Sequence, residues 1–192
     1  MPRLAASLAA LLALSSPARA EELADLLRQG DLVLIQPGAD GRVEKVRTWS
    51  WYDAPPDVVW ERILSYDTYA EWMPRVNMVE VLARTEDHVD VRWTIKVPGP
   101  NVVFTARYHL DPATRTIRGE WLEGALQGSA WTWQLLADGT GTRVERELKT
   151  SAATDSWLLQ QFDDRWHTLE FGINAATPIV EAQGMRQALK GR

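Results

Sequence analysis

Between Val89 and Val97 the odd positions Val89, Val91, Trp93, Ile95 and Val97 are apolar and the even positions Asp90, Arg92, Thr94 and Lys96 are polar. That is the period of a half-buried strand. Pro98-Gly99-Pro100-Asn101 turns the chain, and the next segment places Val102, Phe104, Ala106, Tyr108 and Leu110 on one side, with Thr105, Arg107 and His109 on the other. Asp111-Pro112-Ala113-Thr114 is a second turn. Ile117, Gly119 and Trp121 then share a face, as do Trp131, Trp133 and Leu135 after the break at Gly124–Gly128. A last turn at Asp138–Gly141 leads into a strand from Thr142 to Thr150. So many strands joined by short turns predict an antiparallel sheet with one apolar face.

Helical periods flank this block. Glu21–Gly30 reads as a short amphipathic helix with Leu23, Leu26 and Leu27 on one side, stopped by Gly30. Asp31–Gln36 is a first strand or extended lead-in, Pro37–Gly41 a turn, and Val43–Tyr52 a strand. From Asp155 the period becomes three to four: Leu158, Phe162, Arg165, Leu169, Gly172, Ala176 and Val180 form a stripe that Trp166 and Ile173 widen. Pro178 is expected to kink this helix or split it after Thr177, and the basic tail Met185–Arg192 to fray.

The stretch from Ala54 to Pro74, with its paired prolines and its Tyr-to-Trp-Met-Pro corner, is the most distinctive segment of the chain. Pro56 suits a first helical turn because it has no amide hydrogen to leave unpaired. Val59, Ile63 and Tyr66 then fall on one face. This stretch resembles the first helical elements of the START, polyketide-cyclase and coenzyme-Q-binding superfamily, and Gly141-Thr142-Arg143-Val144 resembles a step near its final strand. The resemblance runs from about Val43 to the end of the C-terminal helix. It implies an α+β helix-grip (START-like) fold, in which a curved antiparallel sheet wraps a long C-terminal helix around an apolar cavity. It also implies lipid carriers, cyclases or hydratases as functional classes, because one fold hosts several chemistries.

The first twenty residues read as an address. Arg3 is followed by the apolar run Leu4–Leu14 and by Ala18-Arg19-Ala20, small residues where a signal peptidase reads. A run of eleven residues at about 1.5 Å each falls short of the roughly 30 Å core of a bilayer, which argues against an uncleaved anchor. Cleavage after Ala20 is expected, then a single domain over residues 21–192 with its core at about 43–186, folded in the periplasm. The chain has no Cys, so neither a lipid-modified cysteine nor a disulfide is available. About 170 residues suffice for a core of their own.

Removing Arg3 and Arg19 with the leader moves the formal charge from −5 to −7. Nucleic acid is therefore not an expected partner. Ten Trp against three Phe is a biased choice, and eight of them, Trp49, Trp51, Trp60, Trp72, Trp93, Trp121, Trp131 and Trp133, lie in the first two thirds of the mature chain. Trp suits a core as well as the wall of a cavity for a flat or amphipathic ligand. Any single Trp is better read as core; the set favours a cavity.

The catalytic inventory is thin. His88, His109 and His167 do not converge, no Cys or spaced His pair builds a metal site, and no nucleophile elbow is present. Asp163-Asp164 point about 100° apart on a helix, which suits a solvated face. Two arginines break their patterns: Arg146 shares parity with Val144 and Leu148, and Arg165 sits in the apolar helix stripe. A buried guanidinium must snorkel to the rim, pair with a carboxylate such as Asp155, or meet an anionic or carbonyl-bearing ligand. Gly172 would leave room beside Arg165 or permit close helix packing.

These readings give a cavity lined by Trp72, Trp93, Phe104, Tyr108, Trp121, Trp131, Trp133, Arg146, Phe162, Arg165, Trp166, Leu169 and Ile173. Trp93, Phe104, Tyr108, Trp121, Trp131 and Trp133 are expected to face the C-terminal helix, and Arg92, Lys96 and Arg107 the solvent. The expected function is non-catalytic carriage of a lipid or isoprenoid quinone by a monomer, with transient membrane contact and with neither cofactor nor metal. A cyclase or hydratase using Tyr108, Asp155 or Arg165, and an envelope interaction module, are the alternatives.

Overall fold

The computed structural model describes residues 17–96, 100–124, 127–149 and 167–191. Residues 1–16 of the expected leader, Val97, Asp155, Leu158, Phe162, Asp163, Asp164, Arg165 and Trp166 lie outside the described residues, as do the side chains of His167, Leu169 and Ile173.

Helix α1 (Pro17–Gln29) is followed by strands β1 (Leu32–Pro37) and β2 (Val43–Tyr52). Helix α2 (Pro56–Leu64), a 3-10 turn (Tyr66–Thr68) and the short α3 (Tyr69–Trp72) come next. Six strands follow in sequence: β3 (Val76–Arg84), β4 (His88–Ile95), β5 (Val102–Asp111), β6 (Thr116–Gly124), β7 (Ala130–Asp138) and β8 (Gly141–Lys149). The chain closes with α4 (His167–Lys190).

All eight strands join one antiparallel sheet in the order β1-β2-β8-β7-β6-β5-β4-β3. The α2–α3 segment carries the chain from β2, beside β8, to β3 at the far edge. The helices and the curved sheet thus form the helix-grip fold, and the inner face of the sheet is where the core sits. Val59 and Ile63 of α2 are fully buried, as is Tyr66 in the 3-10 turn, and Pro56 occupies the first turn of α2. Those three residues are the helical face read from the sequence.

Strand parity also holds. Paired residues point to the same face, and Trp93 pairs with Phe104, Trp131 with Leu148, and Trp133 with Arg146. Trp93 and Trp131 are buried, while Arg92 and Lys96 are exposed. Arg107 lies on the outer face, held by Asp90 of β4 at 2.7 Å.

Three expectations for α4 need correction. Of the two outcomes expected at Pro178, the split after Thr177 does not occur: the residue is buried within an element continuous from His167 to Lys190. Gly172, Ala176 and Val180 are exposed, and a Cβ at Gly172 would meet nothing within 4 Å, so the glycine is not there for close packing; Arg165, beside which it was expected to leave room, lies outside the described residues. The buried stripe is Pro178, Ala182 and Met185, with Leu189 packed beside it. Apolar residues surround this helix, so period alone could not select the face. The tail, finally, remains helical because it is moored. Arg186 grips Asp31 through two nitrogens at 2.6 and 2.9 Å and also donates to the Trp51 carbonyl. Arg62 of α2 donates to the Ala188 carbonyl at 3.2 Å.

Candidate functional site

The inner face of β4–β8 and the α2–α3 corner together build one aromatic wall. Tyr66, Tyr69, Trp93 and Trp131 are buried in a single cluster, against which Trp72, Phe104, Tyr108, Trp121 and Trp133 pack. The rings meet at angles. Tyr69 and Trp93 lie 5.0 Å apart edge-on, Tyr108 and Trp131 5.1 Å apart edge-on, and Trp121 and Trp131 are tilted at 4.3 Å. Such offset and edge contacts suit the aromatic quadrupole and hold each ring in place.

All seven described aromatic residues expected at the cavity, from Trp72 to Trp133, are therefore brought together. The corner tyrosines Tyr66 and Tyr69 stand beside Trp72, Trp93 and Tyr108, and the described length of α4 adds Ala182 and Met185 to the adjoining cluster of Tyr52, Val59, Ile63, Ile117, Leu135 and Val144. The expected parity is present, and Trp72, Tyr108 and Trp133 also pack against the cluster that holds Ala182 and Met185 of α4. Gly184 brings α4 to the corner: its missing side chain leaves the helix in close approach to the Trp72 backbone, which a Cβ would meet at 2.8 Å.

Polar groups in this interior are mostly neutral donors. The Tyr69 hydroxyl donates to the Ile63 carbonyl at 2.8 Å. The Tyr66 hydroxyl and the indole nitrogens of Trp121 and Trp133 are buried with no hydrogen-bond partner among the described residues. Each such donor costs about 1–3 kcal/mol of desolvation unless something accepts from it. Burial also pushes every tyrosine away from ionisation: Tyr52 rises to about 12, and Tyr66, Tyr69 and Tyr108 also rise. At neutral pH these hydroxyls are hydrogen-bond donors, not bases.

Among the described residues, Arg146 is the cation that meets the aromatic wall. Arg146 projects from β8 on the inner face, its guanidinium 4.9 Å over the Trp133 ring, and it pairs with Glu181 of α4. Burial lowers its pKa below the ordinary value, with the fields of Tyr108, Tyr52 and Tyr69 acting in the opposite direction. Of the three outcomes expected for this guanidinium, pairing with a carboxylate is the one present, through Glu181, while Asp155 lies outside the described residues. Sequence reading missed Glu181 although a signal was present: a lone acid flanked by Pro178-Ile179-Val180 and Ala182. It also missed Tyr66 and Tyr69 as wall residues, and the Asp31–Arg186 mooring.

Both described histidines lie outward. His88 is held by Asp87 and Thr85, and His109 stands beside Glu120. Among the described residues no three His, Asp or Glu side chains gather as metal ligands, and no helix is long and apolar enough to cross a membrane.

A family model described as polyketide cyclase / dehydrase and lipid transport matches residues 52–166. No curated protein matches the chain. Among solved structures, the Zhui aromatase/cyclase from Streptomyces sp. R1128 is similar with a TM-score of 0.64 and 23% identity, over 76% of this chain and 93% of that one. A protein from Thermus thermophilus has a TM-score of 0.63 and 21% identity, over 77% and 97%. A STAR-related lipid transfer protein from Xanthomonas axonopodis has 0.59 and 18%, over 84% and 94%. At these identities the likeness is one of fold.

Proposed function

The chain belongs to the polyketide cyclase / dehydrase and lipid transport family, and from that premise we propose that it binds and carries a hydrophobic or amphipathic small molecule, a lipid or an isoprenoid quinone, without transforming it. The observation that carries this reading is the chemistry of the interior. The aromatic wall is lined by neutral donors, and its one described cation is already paired with a carboxylate. General acid–base catalysis needs a group whose pKa lies near the working pH, and burial moves the four tyrosines away from it. Burial of an apolar ligand contributes about 25 cal/mol per Å² before the costs of association, so the wall dominates affinity.

Carriage is proposed for the bacterial envelope, with cleavage after Ala20. The test is native mass spectrometry of protein purified from the periplasm of its host, followed by exchange between donor and acceptor vesicles. A bound lipid or quinone, transferred by a protein that begins at Glu21, is the expected result. Protein that still carries Met1–Ala20 would remove the envelope assignment.

The cyclase reading draws on a different observation: Tyr108 and Arg146 lie within electrostatic reach of each other in the interior. Turnover of an aromatic or polyketide-like substrate that stops in Tyr108→Phe, with no lipid transfer by the wild type, would replace the carrier reading.

A further inference from the structure

Arg146 and Glu181 come from elements that share nothing in sequence, β8 and the C-terminal helix, yet they meet over the indole of Trp133. Each side chain retains only 19% exposure. A buried guanidinium without a counter-charge is costly, and taking away one member of such a pair leaves the other uncompensated. Arg146 is therefore already satisfied before any ligand arrives. An anionic head group entering beside it would have to displace Glu181 or lie next to its carboxylate. Both are unfavourable, and the second is like-charge juxtaposition in a medium that screens poorly.

The remaining polar groups of the wall point the same way. The Tyr66 hydroxyl and the Trp121 and Trp133 indole N–H groups are uncharged donors without acceptors among the described residues. Carbonyl, ether, ester or hydroxyl oxygens satisfy such donors without bringing a charge into the interior. We infer that Glu181 is a specificity-determining residue: by neutralising Arg146 it reserves the interior for uncharged, oxygen-bearing ligands and rejects the anionic ones that a free Arg146 would capture. This rests on the carrier reading above and narrows it to neutral lipids and quinones.

The test uses the full chain and three probes: decylubiquinone, palmitate and methyl palmitate. Binding of decylubiquinone is followed by quenching of the intrinsic Trp fluorescence, and the other two by their competition with it. The acid and its ester differ essentially in charge alone. Wild-type protein is expected to bind the ester at least about tenfold more tightly than the acid. Glu181→Gln is expected to gain about tenfold or more in palmitate affinity, the worth of one charge-assisted hydrogen bond, with little change for the ester. The double variant Arg146→Gln/Glu181→Gln removes the pair without freeing a charge and is expected to lose that gain.

If wild-type protein binds acid and ester equally, the role of Glu181 is overturned while carriage stands. That comparison needs no variant, so it decides even where Glu181→Gln fails to fold. A folded Glu181→Gln without any gain for palmitate, or a double variant that keeps the gain, overturns it as well. If wild-type protein binds none of the three probes, the carrier reading itself falls, and the inference with it.

Discussion

The indole of Trp131 lies across the backbone of Gly119, its direct cross-strand partner on β6. A Cβ at residue 119 would sit 2.0 Å from two carbons of that ring, far inside van der Waals contact. Gly119 is therefore the floor on which one of the central rings of the aromatic wall rests. Gly119→Ala must push Trp131 into Trp121 and Tyr108, its ring neighbours at 4.3 and 5.1 Å. The expected loss is about 2–3 kcal/mol of stability from overpacking, read as a lower midpoint in urea. Adding Trp131→Ala should recover part of it, because the two changes share one space.

Tyr66→Phe should act in the opposite direction on the free protein. The change keeps the ring and removes a buried hydroxyl that has no acceptor among the described residues, so stability should hold or rise by up to about 1 kcal/mol. Affinity for decylubiquinone should fall about three- to tenfold, the worth of one neutral hydrogen bond. Thermal melts with and without the probe give both numbers. Unchanged affinity would remove Tyr66 from the ligand contacts.

Asp31→Asn should loosen the C-terminal helix. Asp31 is almost fully buried and receives both Arg186 nitrogens. The pair lifts the Arg186 pKa above its ordinary value, chiefly through the hydrogen bond to Asp31. Losing the carboxylate strands a half-buried guanidinium, at a cost of about 2–3 kcal/mol. Hydrogen exchange should show the amides of Met185–Lys190 losing protection before those of β4–β8. Uniform loss across the fold would contradict the mooring.

Alkaline titration should reveal no tyrosine ionising in its ordinary range. All four tyrosines have pKa values raised by burial, Tyr52 to about 12, against 10.0 in a free chain. A raised folded value means that the stabilising contribution is complete below pH 10 and declines as pH climbs past 10 toward the folded values. The tyrosinate absorbance should therefore appear in one cooperative step, together with loss of the circular dichroism of the sheet. Stepwise ionisation in a still-folded protein would show that the wall is open to solvent.

Where the chain alternates or caps cleanly, the sequence and the structure agree: β2 spans Val43–Tyr52 as read, and α2 starts at Pro56 with Val59 and Ile63 inward. β3 escaped notice for a physical reason. Its pairing with β4 slips between Val76 and Met78 and again between Val81 and Ala83. Its exposed Met78, Val81 and Leu82 obscure any alternation. The inward face of α4 was illegible because its selection depends on Gly184 meeting Trp72 and on Arg186 meeting Asp31, 155 residues away. The aromatic side of the site was readable from parity. Its electrostatics were not, since Glu181 becomes the partner of Arg146 only once the helix lies over the sheet.

The irregularities of β3 have a further consequence at the rim of the molecule. An open sheet ends in two rows of unpaired amides and carbonyls, a template on which another chain can grow. Here β3 carries two breaks in step, and β1 ends in one, between Gln36 and Pro37, where proline also withholds a donor. A straight strand laid against either rim loses register within a few residues. The fold thus carries its own guard against polymerisation, which matters for a protein whose edge strand leaves Met78, Val81 and Leu82 uncovered.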